Sequence, residues 1–210
     1  MSTRPVRALG PAAALVECGP GEPGRLARAA DRHGVRPGES GVVEVIPAAT
    51  TVLVACTDAA ALSHALAVVR GLPVDPDVGP EEEATIEIAV RFDGHDLAAV
   101  ADRVDRSVDE VVATVVAGRY EVAFCGFAPG FAYLSGLDPL LHLPRRDTPR
   151  TRIPAGAFSI AAGYAAVYPS ASPGGWHLLG STDAPVWSVE RDPPALLRPG
   201  TTVRITRDDR

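Results

Sequence analysis

The stretch FCGFAPGFAYLSG, residues 124–136, divides the chain into two kinds of sequence. It holds three of the five Phe residues, one of the four Tyr and three glycines. A core strand favours alternating apolar residues without backbone breakers, and a solvent loop has no use for Phe. The segment is neither. Gly126, Pro129 and Gly130 break the strand and let the backbone approach another group closely. Phe127, Phe131 and Tyr133 either line a pocket or fill the end of a barrel. Phe131 and Tyr133 are two apart, so in extended chain they share a side.

Upstream of this stretch, strands and helices alternate. Residues 12–19 (AAALVECG) read as a short strand and 24–34 as a helix that stops on Gly34. Residues 41–46 and 50–56 are β-branched and form a hairpin pattern. Residues 58–71 predict a helix capped near Thr57 or Asp58 and stopped by Gly71. A Pro- and acid-rich connector, 72–83, leads to ATIEIAVRF, 84–92, which alternates as a strand. The order β-α-β-β-α-β predicts a ferredoxin-like N-terminal unit if that last strand closes it; the same strand could instead open the second domain. Helices follow over 95–104 and from Ser107, whose spacing to Glu110 is that of a capping box.

Downstream, residues 126–200 are rich in Gly and Pro, with short β-like pieces such as FSIAAG, AAVYP and WHLLGS, and TTVRIT follows. Many short strands between turn signals predict a barrel or sandwich. The expected fold class is therefore α+β, with an α/β domain over 1–83 and an all-β lobe within 84–210.

The formal net charge of −6 argues against nucleic acid and anionic membranes as partners. No apolar run reaches transmembrane length and no signal peptide is visible, so a cytoplasmic protein is expected. Cys18, Cys56 and Cys125 are odd in number and far apart, which suggests neither a disulfide framework nor a zinc site. The histidines have no metal-like spacing, and no metal is expected. All 20 basic residues are Arg. A Walker A lysine, a Schiff-base lysine and a serine–lysine amidase centre are thereby excluded from this chain, and any phosphate or carboxylate must be handled by Arg.

Two further segments could carry chemistry. LPRRDTPRTRIPAG, 143–156, places Arg145, Arg146, Arg150 and Arg152 on a backbone stiffened by Pro144, Pro149 and Pro154. Such guanidinium groups suit bidentate anion recognition; a solvated basic loop is the plain alternative. YPSASPGGWHLLGST, 168–182, contains a turn, SPGGW, leading into a strand. Its Gly174 and Gly175 amides could face an anion or simply make the turn. His177 is a possible acid–base group, although a strand histidine is more often structural. No G-x-S-x-G elbow exists, and Cys125 reads better as a buried inert thiol than as a nucleophile.

Taken together, GFAPGFAYLSGL, PRRDTPRTRIPAGAFSIA and YPSASPGGWHLLGST resemble the family of 5-oxoprolinase B subunits. That family is also called allophanate hydrolase subunit 1 and includes a sporulation-kinase inhibitor of bacilli. The pair Asp96-Leu97 fits the family's approach to the first of these motifs. The resemblance implies a ferredoxin-like N-terminal domain and a cyclophilin-like β-barrel C-terminal domain. It implies work with the A and C subunits of 5-oxoprolinase, with a direct complex to the C subunit, in the ATP-dependent opening of 5-oxoproline to glutamate. ATP is then expected in the assembled complex, since this chain has no Walker A motif. On this reading Arg145, Arg146 and Arg150 contact the anion of a small carboxylate substrate. Phe131, Tyr133 and Trp176 form walls, and Gly174 and Gly175 add amide donors beside His177. No residue is a convincing nucleophile or base alone, so the site is expected to be completed by a partner. The competing class is a non-catalytic binding protein that inhibits a sensor histidine kinase; prolyl isomerase is a third reading, by barrel analogy alone. The chain departs from the family's usual residues at Val115, at Tyr164, Ala165 and Ala166, and at Ser181.

Overall fold

The computed structural model describes residues 4–19, 21–74 and 85–209. The chain divides into two compact units, Met1–Glu81 and Glu82–Arg210. Most of the acidic connector lies outside the described residues.

The first unit runs β1 (Val6–Ala8), β2 (Ala13–Glu17), α1 (Glu22–Arg32), β3 (Val42–Pro47), β4 (Thr51–Cys56) and α2 (Ala59–Val69). Its antiparallel sheet has the order β1-β2-β4-β3. Pro23 sits in the first turn of α1, where a missing N–H costs nothing. Asp58 caps α2, accepting from the amides of Ala60 and Ala61 at 2.9 Å each. Both helices bury one face against the alternating residues of the central strands: Leu26, Leu62, Ala65 and Val69 meet Val16, Val52 and Val54. The strand beyond β2 is β1, held by a tight turn in which the Leu9 amide donates to the Ala13 carbonyl. Of the two readings open for residues 84–92, closure of a ferredoxin-like first unit is not the one found, since that sheet holds only β1, β2, β4 and β3 among the described residues. A local hairpin already fills that edge and needs no crossover.

The second unit takes that strand instead. It runs β5 (Ile86–Val90), α3 (Leu97–Arg103), α4 (Val108–Ala117), β6 (Tyr120–Cys125), β7 (Ala132–Ser135), β8 (Arg150–Ile153), β9 (Ala157–Ala161), β10 (Tyr164–Val167), β11 (Ser172–Gly174), β12 (His177–Ser181) and β13 (Thr202–Arg207), with a 3₁₀ turn at Pro139–Leu141. The expected capping box is present at α4, where Ser107 and Glu110 exchange hydrogen bonds. Seven strands form one sheet in the order β12-β9-β10-β7-β6-β13-β5, antiparallel except for the parallel pair β13–β5. The two edges meet at Arg91 and Ser181, whose backbones exchange two hydrogen bonds of 2.8 Å. The sheet is thus a nearly closed barrel. Gly94 sits at this seam because nothing larger fits: a Cβ there would lie 2.2 Å from the Leu179 carbonyl carbon.

Both faces of the sheet are buried, so the strands read as nearly continuous apolar runs. Ile88, Val122, Leu134, Phe158, Ile160 and Ile205 pack on one face with Leu97 and Val100 of α3 and Val111 and Val115 of α4. Phe131, Tyr168, Trp176 and Leu178 pack on the other, together with Ile153 of the short ribbon β8–β11. Each large side chain buried this way contributes about 1.5–3 kcal/mol.

Candidate functional site: a cationic cleft beside an aromatic cluster

Sequence alternation on β6 would send Phe124 to the same face as Val122. The ladder between β6 and β7 shifts register between Val122 and Phe124. This bulge turns Phe124 to the opposite face, where it stacks on Tyr133 with ring centroids 4.2 Å apart. Tyr164 meets both rings, at 5.5 and 5.8 Å. Phe131 is the centre of the group: Phe127, Tyr133, Tyr168 and Trp176 lie 5.1–5.7 Å from it, mostly edge to face. Such pairs contribute about 0.5–1.5 kcal/mol each beyond burial. Phe131 and Tyr133 do share a side. Phe131 and Trp176 are buried rather than walls of an open pocket.

Phe127 is the exception. Its backbone is left-handed, with φ of 73°, and the residue is 62% exposed. A bulky residue in that conformation costs about 1–3 kcal/mol.

The arginine-rich loop is tied down from several sides. The Arg146 amide donates to the Gly175 carbonyl at 2.7 Å. His177 Nε2 donates to the Pro144 carbonyl at 2.9 Å, so this histidine anchors the loop. The strongest tie is Asp96, at the N-terminus of α3. Its carboxylate is buried and accepts from Arg146 Nη1, both Nη atoms of Arg150 and the Leu178 amide, all within 2.8–2.9 Å. Burial pushes this carboxyl up. The hydrogen bonds from Arg150 and the Leu178 amide, with the charges of Arg150 and Arg146, outweigh it and hold the group below the usual carboxylate range. Two of the three expected anion contacts are therefore engaged inside the protein. In sequence Asp96 stands out only as half of an Asp-Leu pair. The signal that could reveal its role is an acid two residues after Gly94, in the turn that follows the strand, in a chain with a cluster of loop arginines.

Arg145 has no such partner; it forms no ion pair among the described residues, and neither does Arg103 of α3. Its charge acts on the hydroxyls of Tyr133 and Tyr168, countering part of the rise that burial imposes on both. A cleft of about 320 Å³ opens here, lined by Asp96, Arg103, Arg145, Arg146, Asp147 and His177 among others. With Asp96 committed to Arg146 and Arg150, its balance is cationic.

Gly174 and Gly175 do not form an exposed turn. Ser172–Gly174 is strand β11, and a Cβ on Gly174 would lie 2.3 Å from the Tyr168 hydroxyl. Gly174 makes room for that ring, and the Gly175 carbonyl serves the Arg146 amide. The departures from the family's usual residues also find places. Val115 is core, and its carbonyl accepts from the Tyr120 hydroxyl at 2.9 Å. Tyr164 joins the aromatic cluster, and Ser181 closes the barrel while its Oγ donates to Asp93 at 2.9 Å. Among the described residues no cluster of His, Cys, Asp or Glu could hold a metal ion. Burial pushes the Cys125 thiol up to about 11, the reverse of what a nucleophile needs. Among the described residues no helix is long and apolar enough to cross a membrane.

Comparison with known proteins agrees with these features. The chain is 45% identical over 127 residues to a protein from Escherichia coli O157:H7 named as the B subunit of 5-oxoprolinase, a match covering 59% of this chain and 58% of that protein. A protein of the same name from Bacillus subtilis is 40% identical over 125 residues, covering 58% of this chain and 52% of that one. The chain thus spans little more than half the length of the curated relatives it matches. The solved structure of TTHA0988 superposes with a TM-score of 0.78 at 34% identity, covering 98% of this chain and 41% of that one. Residues 5–197 match the profile described as carboxyltransferase domain, subdomain C and D. The chain belongs to this carboxyltransferase-domain family.

Proposed function

We propose that the chain is a non-autonomous subunit of an ATP-dependent amide hydrolase that opens 5-oxoproline to glutamate together with the A and C subunits of 5-oxoprolinase. The observation that carries this reading is Arg145. It is a cation with no ion pair among the described residues, on a loop tied down by Asp96, His177 and Gly175, and it lines the cleft. A small carboxylate fits such a place, with Arg145 and Arg103 on the cleft wall to meet it. Arg146 and Arg150, held by Asp96, keep the loop in position and leave a positive field in the cleft. In a low-dielectric cleft such fixed charge also favours negative charge developing on a lactam oxygen.

Two features support a shared site. Among the described residues that line the cleft there is no Ser, Cys or Lys, and the histidine there is engaged with a backbone carbonyl. The residues present also do not fit a nucleoside triphosphate. The cleft is at the small end for ligand sites, no lysine exists, and of the paired glycines Gly174 ends a strand packed on Tyr168 while Gly175 turns its carbonyl to the Arg146 amide. ATP hydrolysis supplies the driving force for opening a resonance-stabilised amide, and its site is assigned to another subunit.

The test is reconstitution. Glutamate release from 5-oxoproline and ATP is measured with all three subunits and with each omitted in turn. Activity should require all three. Full activity without this chain, or turnover by this chain alone, defeats the proposal.

A further inference from the structure

We propose that the sheet of the first unit packs face to face on the same sheet of a second copy of this chain; this is independent of the reading of the cleft. The strand register decides which side chains share the face in question. Arg7, Leu15, Leu53 and Ile46 lie directly opposite one another across β1, β2, β4 and β3, so they form one row on one side of the sheet. Ala13, Ala55 and Glu44 form the next row of that side. The alternate residues Val16, Val52 and Val54 point the other way, into the core with α1 and α2. Leu15, Leu53 and Ile46 belong to none of the buried clusters among the described residues.

An antiparallel sheet with one solvated face normally alternates, apolar inward and polar outward. Here the outward row carries Leu15, Leu53 and Ile46 side by side, with Ala13 and Ala55 next to them, and the charged groups stand on the edge strands and strand ends. A single exposed aliphatic residue needs no explanation. A contiguous apolar row rimmed by charges is the mark of a contact surface.

The occupant is a second copy because the face is complementary to itself, in shape and in charge. On the side of β1 and β2 it holds a hollow of about 420 Å³, lined by Arg7, Leu15 and Glu17 among others. On the opposite edge β3 stands proud, with Ile46 41% exposed and Val43, at the bulge of the strand, 50% exposed. Sheets stack nearly aligned, about 10 Å apart. A twofold axis running along the strands, between β2 and β4, therefore lays β3 of each copy over β1 of the other. Ile46 of each copy then enters the hollow of the other, and Leu15 of one meets Leu53 of the other. Arg7 comes within reach of Glu44 of the other copy, and the same contact recurs across the axis, as an isologous interface requires. Arg7 already turns to Glu17 at 3.0 Å and is largely exposed, so a second carboxylate has access to it. One face of four strands is at the small end for an interface, so the association depends on concentration.

The experiment is sedimentation velocity of the purified full-length chain, from low micromolar to several hundred micromolar, for the wild type and five variants. Ile46→Asp puts a charge into the hollow. Arg7→Glu and Glu44→Arg each set like charges across the axis, and the double variant restores opposite charges. Val189→Asp, in the second unit, is the control, an exposed residue away from this sheet. The wild type should pass from one chain toward two as concentration rises. Ile46→Asp and each single charge variant should weaken the dimer about tenfold or more, the double variant should recover most of the loss, and Val189→Asp should behave as wild type. Melting temperatures should stay near wild type, as for exposed residues, and the charge variants decide the matter if Ile46→Asp does not fold. A chain that stays single at every concentration overturns the proposal. So does a dimer that survives Ile46→Asp, one that is lost in Val189→Asp, or a double charge variant that recovers nothing.

Discussion

Asp96 and Arg150 meet fork to fork, with Nη1 2.9 Å from Oδ2 and Nη2 2.8 Å from Oδ1. The carboxylate belongs to the start of α3 and the guanidinium to β8, so the pair joins a helix to the ribbon that bears the arginine loop. Arg146 adds a third hydrogen bond at 2.8 Å. A buried carboxylate with this many donors is an organiser of the site rather than a reacting group.

Asp96→Asn should therefore cost stability, by about 2–4 kcal/mol, because it leaves two arginines facing each other without compensation; their partial exposure limits the loss. The pH dependence has a definite sign. A carboxyl whose folded pKa is depressed contributes stability that is present above the unfolded value, about 3.9, and that is lost as pH falls through the folded value. The gap in melting temperature between wild type and Asp96→Asn should be widest at neutral pH and should close in strong acid. An unchanged gap at low pH would mean that the ion pairs are not its source.

Arg145→Ala should leave the fold alone and lower the activity of the assembled complex. A charge-assisted hydrogen bond to substrate is worth about 1.5–3 kcal/mol, or about a ten- to hundredfold loss in kcat/KM. Melting temperature should stay within a few degrees, as for an exposed residue. Full activity in this variant would remove Arg145 from the site.

Gly94→Ala should be among the most damaging single changes in the second unit. Its φ is not left-handed, so conformational freedom is not the issue. The new methyl would meet the Leu178 carbonyl oxygen at 2.3 Å and the Leu179 carbonyl carbon at 2.2 Å, and backbone cannot step aside cheaply. Opening the seam should cost about 3 kcal/mol or more, read as a large shift in the urea midpoint. A shift no larger than that of Gly126→Ala, where a Cβ meets nothing within 4 Å, would contradict the closed seam.

Cys125→Ala should leave the activity of the complex within about twofold of wild type. The thiol is half-buried, its Sγ lies 3.5 Å from the Leu197 carbonyl, and burial keeps it protonated at neutral pH. Loss of activity without loss of stability would reinstate it as a nucleophile.

Phe127→Asn should be close to neutral for the isolated chain. It relieves a left-handed bulky residue, worth about 1–3 kcal/mol, and gives up one edge-on contact of about 0.5–1.5 kcal/mol. Phe131→Ala, by contrast, empties the centre of the cluster and should cost about 3–5 kcal/mol. Melting curves of the two variants, side by side, check this contrast.

Local signals are legible in the sequence where local physics decides. The Ser107–Glu110 box, the Asp58 cap and the β3–β4 hairpin follow from short-range hydrogen bonding and β-branched patterning. What escapes depends on partners far along the chain. Strand β5 alternates equally well for either unit, and only its parallel partner β13 decides. The bulge that turns Phe124 to the aromatic face leaves no mark, because Ala123 looks like any strand residue. The arginine cluster is legible as a cluster. Its division into Arg146 and Arg150, which hold the loop, and Arg145, which faces the cleft, depends on Asp96, some fifty positions away.

The parallel pairing of β5 with β13 has a consequence for synthesis. Ile88 lies opposite Ile205, and β13 stands between β5 and β6. The last strand of the barrel is thus a middle strand of its sheet. Until it emerges from the ribosome, β5 and β6 expose the edges it will occupy, and α4 lacks the strand it packs on. Closure over so long a stretch of chain is slow, and unpaired edges invite association in the meantime. The described strand pairings of the first unit all lie within Val6–Cys56, so they are complete in the chain long before β13 is made.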